Sequence, residues 1–217
     1  MVWKLLAFDW DGTLVDTMEV MYQATRTVFI HYELKPPTRE VYLEEITIKN
    51  MDEFYHDHGV PRQATRQDLN AIWRMYFNDP GNYDAMRLRD GAREALLICR
   101  AMGINTALVS GTIRDVIMVG LSRFGLPGFI DHVGADASDK VGELKRTLDR
   151  FVISPEEAAY VDDTFEGLSA AKRVGMTAIG ITGGFSPRQL LLEADPDLMI
   201  DSLIELLPLL KAGKAEA

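Results

Sequence analysis

Cysteine is almost absent from this chain: Cys99 stands alone among 217 residues, so no intrachain disulfide can form and a reducing compartment is expected. It lies in the apolar run Leu96-Leu97-Ile98-Cys99 with no histidine or cation beside it to activate a thiolate, which makes it a core residue. Long apolar runs are missing as well. The opening stretch Met1-Val2-Trp3-Lys4-Leu5-Leu6-Ala7-Phe8 is cut by Asp9 and Asp11 before a secretory core or a membrane span is complete, so a cytoplasmic location is expected. Positive charge is in deficit, with 23 basic residues against 33 acidic ones and a formal charge of −10. Such a surface repels nucleic acid and anionic lipid, and neither is expected as a partner. A small anion is not excluded, because a local lysine, backbone amides or a bound cation set the field inside a cleft.

What is present is a regular alternation. From about Arg89 onward, the apolar runs 106–109, 158–161, 178–181 and 198–200 read as buried strands. Between them, 91–102, 113–124, 142–151, 166–174 and 202–210 carry apolar residues at helical spacing, and Gly103, Gly125 and Gly175 stand where left-handed helix ends are expected. Alternating strands and helices imply an α/β fold with a parallel sheet covered on both faces. The run 4–8 is another strand of this kind. The alternation is then suspended, and 18–32, 39–46 and 66–77 read as helices punctuated by Pro36-Pro37 and Gly59-Val60-Pro61. The expected organisation is therefore a core of 1–16 with 87–217 and a helical insertion at 17–86, forming a lid over the carboxyl edge of the sheet. The tail after Leu210 is expected to fray.

Four short segments fall at the expected carboxyl ends of strands: Phe8-Asp9-Trp10-Asp11-Gly12-Thr13, Leu108-Val109-Ser110-Gly111-Thr112, Lys140, and Val161-Asp162-Asp163-Thr164. In a parallel sheet these ends converge on one crevice, where residues distant in sequence can surround one phosphate. Asp9-Trp10-Asp11-Gly12-Thr13-Leu14-Val15-Asp16 resembles the first motif of the haloacid dehalogenase superfamily, specifically its phosphoglycolate phosphatase and beta-phosphoglucomutase branch with a helical cap. The similarity extends along essentially the whole chain.

That resemblance implies a Rossmann-like core, a helical cap and a phosphatase acting on a phosphoglycolate-like compound or a sugar phosphate. Asp9 becomes the nucleophile that forms an acyl phosphate, and Asp11 the group that protonates the leaving oxygen and then activates water. Lys140, preceding helix 142–151, neutralises charge on Asp9 and the phosphoryl group, in preference to Lys145 within the helix. Gly12, Thr13, Ser110 and Gly111 are the expected phosphate-side contacts. Magnesium (Mg2+) is implied as the cofactor, held by the Asp9 carboxylate, the Asp11 carbonyl and Asp163. The sequence departs from the common pattern here: Asp162 stands where glycine is frequent and Gly167 where a second aspartate is frequent. Asp162 is taken as a direct or adjoining partner of the metal, with Glu166 as the weaker substitute.

In the insertion, Arg62 and Arg66 are candidates for a second anionic group of the substrate, four apart and on one face if helical; Lys49 is a third. His56 and His58, on an expected loop, do not form a zinc frame. Trp73, Tyr76 and Phe77 read as apolar packing at helical spacing. His31 and His132 receive no role. The partner expected is a small phosphorylated metabolite, and the chain a monomer or homodimer. Rival readings are a phosphomutase using the same Asp9 intermediate, a dehalogenase, a phosphonate-cleaving enzyme with Lys49 as imine former, and a non-catalytic binding module on the same fold.

Overall fold

A computed structural model describes residues 3–46 and 48–212. Met1, Val2, Thr47 and most of the tail expected to fray lie outside the described residues. In chain order the elements are β1 (Leu5–Phe8), β2 (Val15–Asp16), α1 (Met18–His31), α2 (Arg39–Glu45), α3 (Met51–Asp57), α4 (Arg66–Phe77) and β3 (Arg87–Leu88). They continue as α5 (Ala92–Met102), β4 (Asn105–Val109), α6 (Arg114–Arg123), β5 (His132–Gly134), α7 (Lys140–Phe151), β6 (Ala158–Asp162) and α8 (Phe165–Val174). The chain closes with β7 (Thr177–Ile181), α9 (Arg188–Glu193), β8 (Leu198–Ile200) and α10 (Leu206–Ala212). Among the described residues no helix is long and apolar enough to cross a membrane.

The chain divides into two compact units, 1–16 with 87–217, and 17–86. The first is built on a six-stranded sheet in the order β5-β4-β1-β6-β7-β8, with every pairing parallel. The order turns back at β1: the chain runs out through β4 and β5 on one side, then crosses to β6 on the other. That reversal is where a parallel sheet opens a crevice at its carboxyl ends. β1 is apolar throughout and fully buried, as a strand covered on both faces requires. Leu5, Ala7, Val109, Tyr160 and Ala178 pack with Leu144 and Leu148 of α7 and Leu168 and Ala171 of α8. The alternate positions Leu6, Phe8, Leu108, Val161 and Ile179 are equally buried, and Cys99 is sealed within this unit.

Several helix ends follow from single residues. Gly103 and Gly175 close α5 and α8 in the left-handed conformation, with φ of 70° and 88°, and Gly125 follows α6 at φ 64°. The Asp139 side chain accepts from Gly142 N–H at 3.0 Å. This cap starts α7 at Lys140, so Lys140 is the first residue of the helix and does not precede it. Thr164 caps α8 in the same way, accepting from Gly167 N–H at 3.1 Å.

The second unit is helical. α1 buries Val20, Ala24, Val28 and Phe29, and an aromatic cluster joins Phe29, Tyr42, Phe54 and Tyr55. The segment around His56, expected as a loop, is helix α3. The Asn50 side chain starts it by accepting from Glu53 N–H at 3.0 Å, and Phe54 and Tyr55 are its buried residues. Trp73 donates to the Tyr55 hydroxyl at 2.8 Å and Phe77 packs at a tilt against Tyr83, so the stripe on α4 is packing.

Candidate active site

Asp9 follows β1, Ser110 follows β4, Asp162 closes β6 and Asp163 follows it. Because β4, β1 and β6 are neighbours, the sheet register brings these ends together. Asp9 N–H extends the ladder by donating to Val161 C=O at 2.9 Å, which sets the nucleophile candidate beside the Asp162-Asp163 pair.

Lys140 reaches this cluster from the first turn of α7. Its ammonium donates to Asp162 Oδ2 at 2.6 Å and stands 3.4 Å from Asp9 Oδ2. The Tyr160 ring lies beneath it, 5.8 Å from Nζ, and the Tyr160 hydroxyl is anchored on Val109 C=O at 2.7 Å. Burial alone would lower the lysine's pKa, but Asp162 and Asp9 more than offset it and hold the group cationic. Lys145, the alternative considered, is not among these contacts.

Asp163 is enclosed on both sides. Thr13 Oγ1 donates to its Oδ1 at 2.7 Å and Phe185 N–H to its Oδ2 at 2.7 Å. A side chain at Gly12 or Gly184 would collide with this carboxylate, and Gly12 also has φ 71°, so both positions require glycine. The Thr13 hydroxyl is thereby committed to Asp163, and Gly12 N–H to Val15 C=O at 2.8 Å; neither of these two groups is available to a substrate.

The exchange of Asp162 for glycine and Gly167 for aspartate has a geometric reason. A side chain at 167 would occupy the space filled by the Asp162 carboxylate. Asp162 is fully buried and also accepts from Thr164 N–H at 2.7 Å, whereas Glu166 is exposed on α8. The third carboxylate of the cluster stands at the strand end, and Glu166 is not among the clustered groups of the described residues.

Asp11 is only partly exposed, and its Oδ2 accepts from Thr112 Oγ1. Ser110 is buried and its Oγ accepts from Thr112 N–H at 3.3 Å, leaving its own proton to be donated elsewhere. Thr112 belongs to the Ser-Gly-Thr segment, but the sequence alone assigns it no role. Phe185 and Tyr160 had no signal at all, the first acting through its backbone and the second sitting inside an apolar strand.

Asp9, Asp162 and Asp163 each offer an oxygen within 4.8 Å of one another. Burial, and then the neighbouring carboxylates acting against Lys140, raise Asp9 well above the ordinary carboxylate range. Burial and Asp162 push Asp163 up to about 7. Asp9 Oδ1 is buried with no hydrogen-bond partner among the described residues. One ammonium against three buried carboxylates leaves an excess of negative charge, and hard oxygen donors with an orphaned lone pair fit a metal ion.

Of the candidates in 17–86, Arg66, Lys49, His56 and His58 have partners within their own unit. Arg62 lies in the turn before α4, so the two arginines do not share a helical face. Arg66 is engaged with Asp52 at 2.9 Å. Lys49 donates to Asp57 and Glu45, and these bonds raise its pKa, the opposite of what an imine-forming lysine needs. His56 contacts Val60 C=O at 3.1 Å and His58 contacts Glu45 at 3.1 Å. In the other unit, His132 lies 3.4 Å from Glu143.

Comparison with known proteins gives the same frame. The pattern of the haloacid dehalogenase-like hydrolase family matches residues 6–181. The chain is 26% identical over 215 residues to Pyrophosphatase PpaX of Listeria monocytogenes, covering 95% of each protein. It is 26% identical over 221 residues to phosphoglycolate phosphatase of Vibrio vulnificus, covering 94% of each. The crystal structure of CbbY from Rhodobacter sphaeroides in complex with phosphate superposes with a TM-score of 0.82 at 23% identity, over 95% of this chain and 97% of that one. With the family pattern running from the first strand to the seventh and its aspartates gathered at one sheet edge, the chain belongs to the haloacid dehalogenase-like hydrolases.

Proposed function

We propose that the protein is a phosphatase that hydrolyses a small phosphomonoester in two displacements through an acyl phosphate on Asp9. The observation that carries this reading is the Asp9 carboxylate itself. It is buried, one oxygen faces Lys140 at 3.4 Å, and the other has no partner among the described residues.

An Asp9 oxygen attacks phosphorus, the ester P–O bond breaks, and Asp11 gives its proton to the departing oxygen. Asp11 then takes a proton from water as that water attacks phosphorus, releasing inorganic phosphate and restoring the Asp9 carboxylate. Thr112 holds the Asp11 carboxylate for both transfers. The Ser110 hydroxyl and the amides of Gly111 and Thr13 are assigned to the phosphoryl oxygens. Lys140 neutralises charge on Asp9 and on the group in transfer. Asp9, Asp162 and Asp163, with the Asp11 carbonyl, would hold Mg2+, which supplies positive charge that lets Asp9 and the anionic phosphate approach each other.

The names of the relatives support phosphate-releasing hydrolysis: one is a phosphoglycolate phosphatase, whose named substrate is a phosphomonoester, one a pyrophosphatase, whose named substrate is a phosphoanhydride, and CbbY was solved with phosphate. We assign 17–86 as the cap domain that selects the leaving group, with Arg62 the better candidate for a second anion because Arg66 already pairs with Asp52.

The test is phosphate release from a panel of phosphorylated metabolites, with and without magnesium, for the wild type and Asp9→Asn. Magnesium-dependent release lost in the variant supports the reading. Isomerised sugar phosphate without phosphate release would replace it by a phosphomutase.

A further inference from the structure

Arg89 stands where the chain returns from residues 17–86. The strand pair just before it joins Val15 to Leu88 and Asp16 to Arg87, and Arg89 N–H continues the ribbon by donating to Leu14 C=O at 3.0 Å. The backbone is thereby pinned, and the guanidinium turns toward two loops that belong to different strands. Nη1 donates to Gly12 C=O at 2.8 Å and Nη2 to Thr182 C=O at 2.5 Å.

Those carbonyls lie beyond the ends of β1 and β7; the amides of the same residues are bonded to Val15 and Ile200 C=O, and Arg89 takes the carbonyls. Gly12 is one residue, and Thr182 three residues, from a group that closes on Asp163. Gly12 precedes Thr13, whose hydroxyl donates to Asp163 Oδ1. Thr182 leads through Gly183 and Gly184 to Phe185, whose N–H donates to Asp163 Oδ2. Two consecutive glycines give that loop little stiffness of its own. A side chain at Gly183 would come within 3.3 Å of Arg89 Nη2, so the loop is fitted against the guanidinium.

We propose that Arg89 is a positioning residue of the site: its fork spaces the Gly12 and Thr182 carbonyls, holds the two loops against Asp163, and so sets the affinity of the carboxylate triad for a divalent cation. This rests on reading Asp9, Asp162 and Asp163 as a cation site. Arginine is required because its planar guanidinium presents donors in a fixed fork, whereas a lysine ammonium is a single point on a flexible stem. Groups that orient a metal's carboxylates in this way typically govern affinity by about 10- to 100-fold.

The experiment compares wild type, Arg89→Met, Arg89→Lys and Arg93→Met. Arg93 also donates to a backbone carbonyl, that of Phe124, away from the carboxylates, and is the control for loss of such a bond. Binding of Mn2+ is followed by the paramagnetic resonance signal of the free ion, and hydrogen exchange of the Phe185 amide is measured in metal-free protein. Arg89→Met is expected to weaken Mn2+ binding by roughly tenfold or more and to speed exchange at Phe185. Arg89→Lys is expected to recover little, and Arg93→Met to match the wild type in both readouts. Unchanged exchange at Phe185 together with wild-type affinity in Arg89→Met would overturn the proposal, and full recovery in Arg89→Lys would overturn the fork. Failure of the wild type itself to bind Mn2+ would instead overturn the cation site on which the affinity claim rests.

Discussion

Lys140 donates to Asp162 at 2.6 Å while standing 3.4 Å from Asp9, so one buried ammonium serves both the nucleophile candidate and its neighbour. Replacing it with methionine leaves three buried carboxylates with no cationic side chain in this contact set. Breaking a buried pair by removing one partner costs roughly 3–5 kcal/mol. Lys140→Met is expected to lose stability of that order in metal-free protein, measured by urea unfolding, and to lose phosphatase turnover. A loss too small to measure would contradict the shared role.

Asp162 fills the space a side chain at 167 would need. Gly167→Asp alone is therefore expected to destabilise the protein and Asp162→Gly alone to weaken cation binding. The double exchange, which moves the carboxylate from the end of β6 to the first turn of α8, is expected to bind Mg2+ more tightly than either single variant by calorimetry. Mg2+ binding by the double exchange no tighter than that of Asp162→Gly would show that the positions are independent.

Val152 ends α7 at φ 55° and is 91% exposed. A β-branched residue in the left-handed region costs roughly 1–2 kcal/mol, partly offset in Val152→Gly by about 0.4–1 kcal/mol of chain entropy. The variant is expected to be more stable by about 0.5–1 kcal/mol, read as a higher Tm with turnover unchanged. A lower Tm would mean that Val152 makes a stabilising contact elsewhere.

Burial pushes the Cys99 thiol up to about 12. The native thiol stays protonated at mildly alkaline pH, where an unfolded one ionises at about 8.5. The folded pKa of this acid is raised, so its linkage removes stability as pH rises from the unfolded value toward the folded one. Native protein is expected to resist alkylation at mildly alkaline pH, and urea-unfolded protein to react fully; rapid native labelling would contradict the buried assignment.

The strands bearing the site were legible because a parallel strand covered on both faces is a continuous apolar run, as in Leu5-Leu6-Ala7-Phe8. Strand β5 was not, because His132-Val133-Gly134 is a short, half-buried edge. The start of α7 was hidden because only Val141 is apolar in its first turn, between Lys140 and Gly142, and the Asp139 cap that begins the helix is a single side-chain bond. Helix α3 was lost because seven residues with two adjacent buried aromatics give no helical period. Arg89 leaves no trace in any local pattern, since its guanidinium bonds to backbone carbonyls 77 and 93 residues away.

The acyl phosphate on Asp9 is the central claim, and Asp11→Asn gives the most direct access to it. The aryloxide of an activated aryl phosphate, such as a nitrophenolate, leaves without a proton, so the first displacement proceeds while the water that should release the phosphoryl group finds no base. Intact-mass measurement after mixing with such a substrate and magnesium is expected to show one added phosphoryl group per chain, mapped to the peptide containing Asp9 and absent from Asp9→Asn/Asp11→Asn. Turnover of the aryl phosphate with no covalent adduct, or an adduct on another residue, would contradict the account.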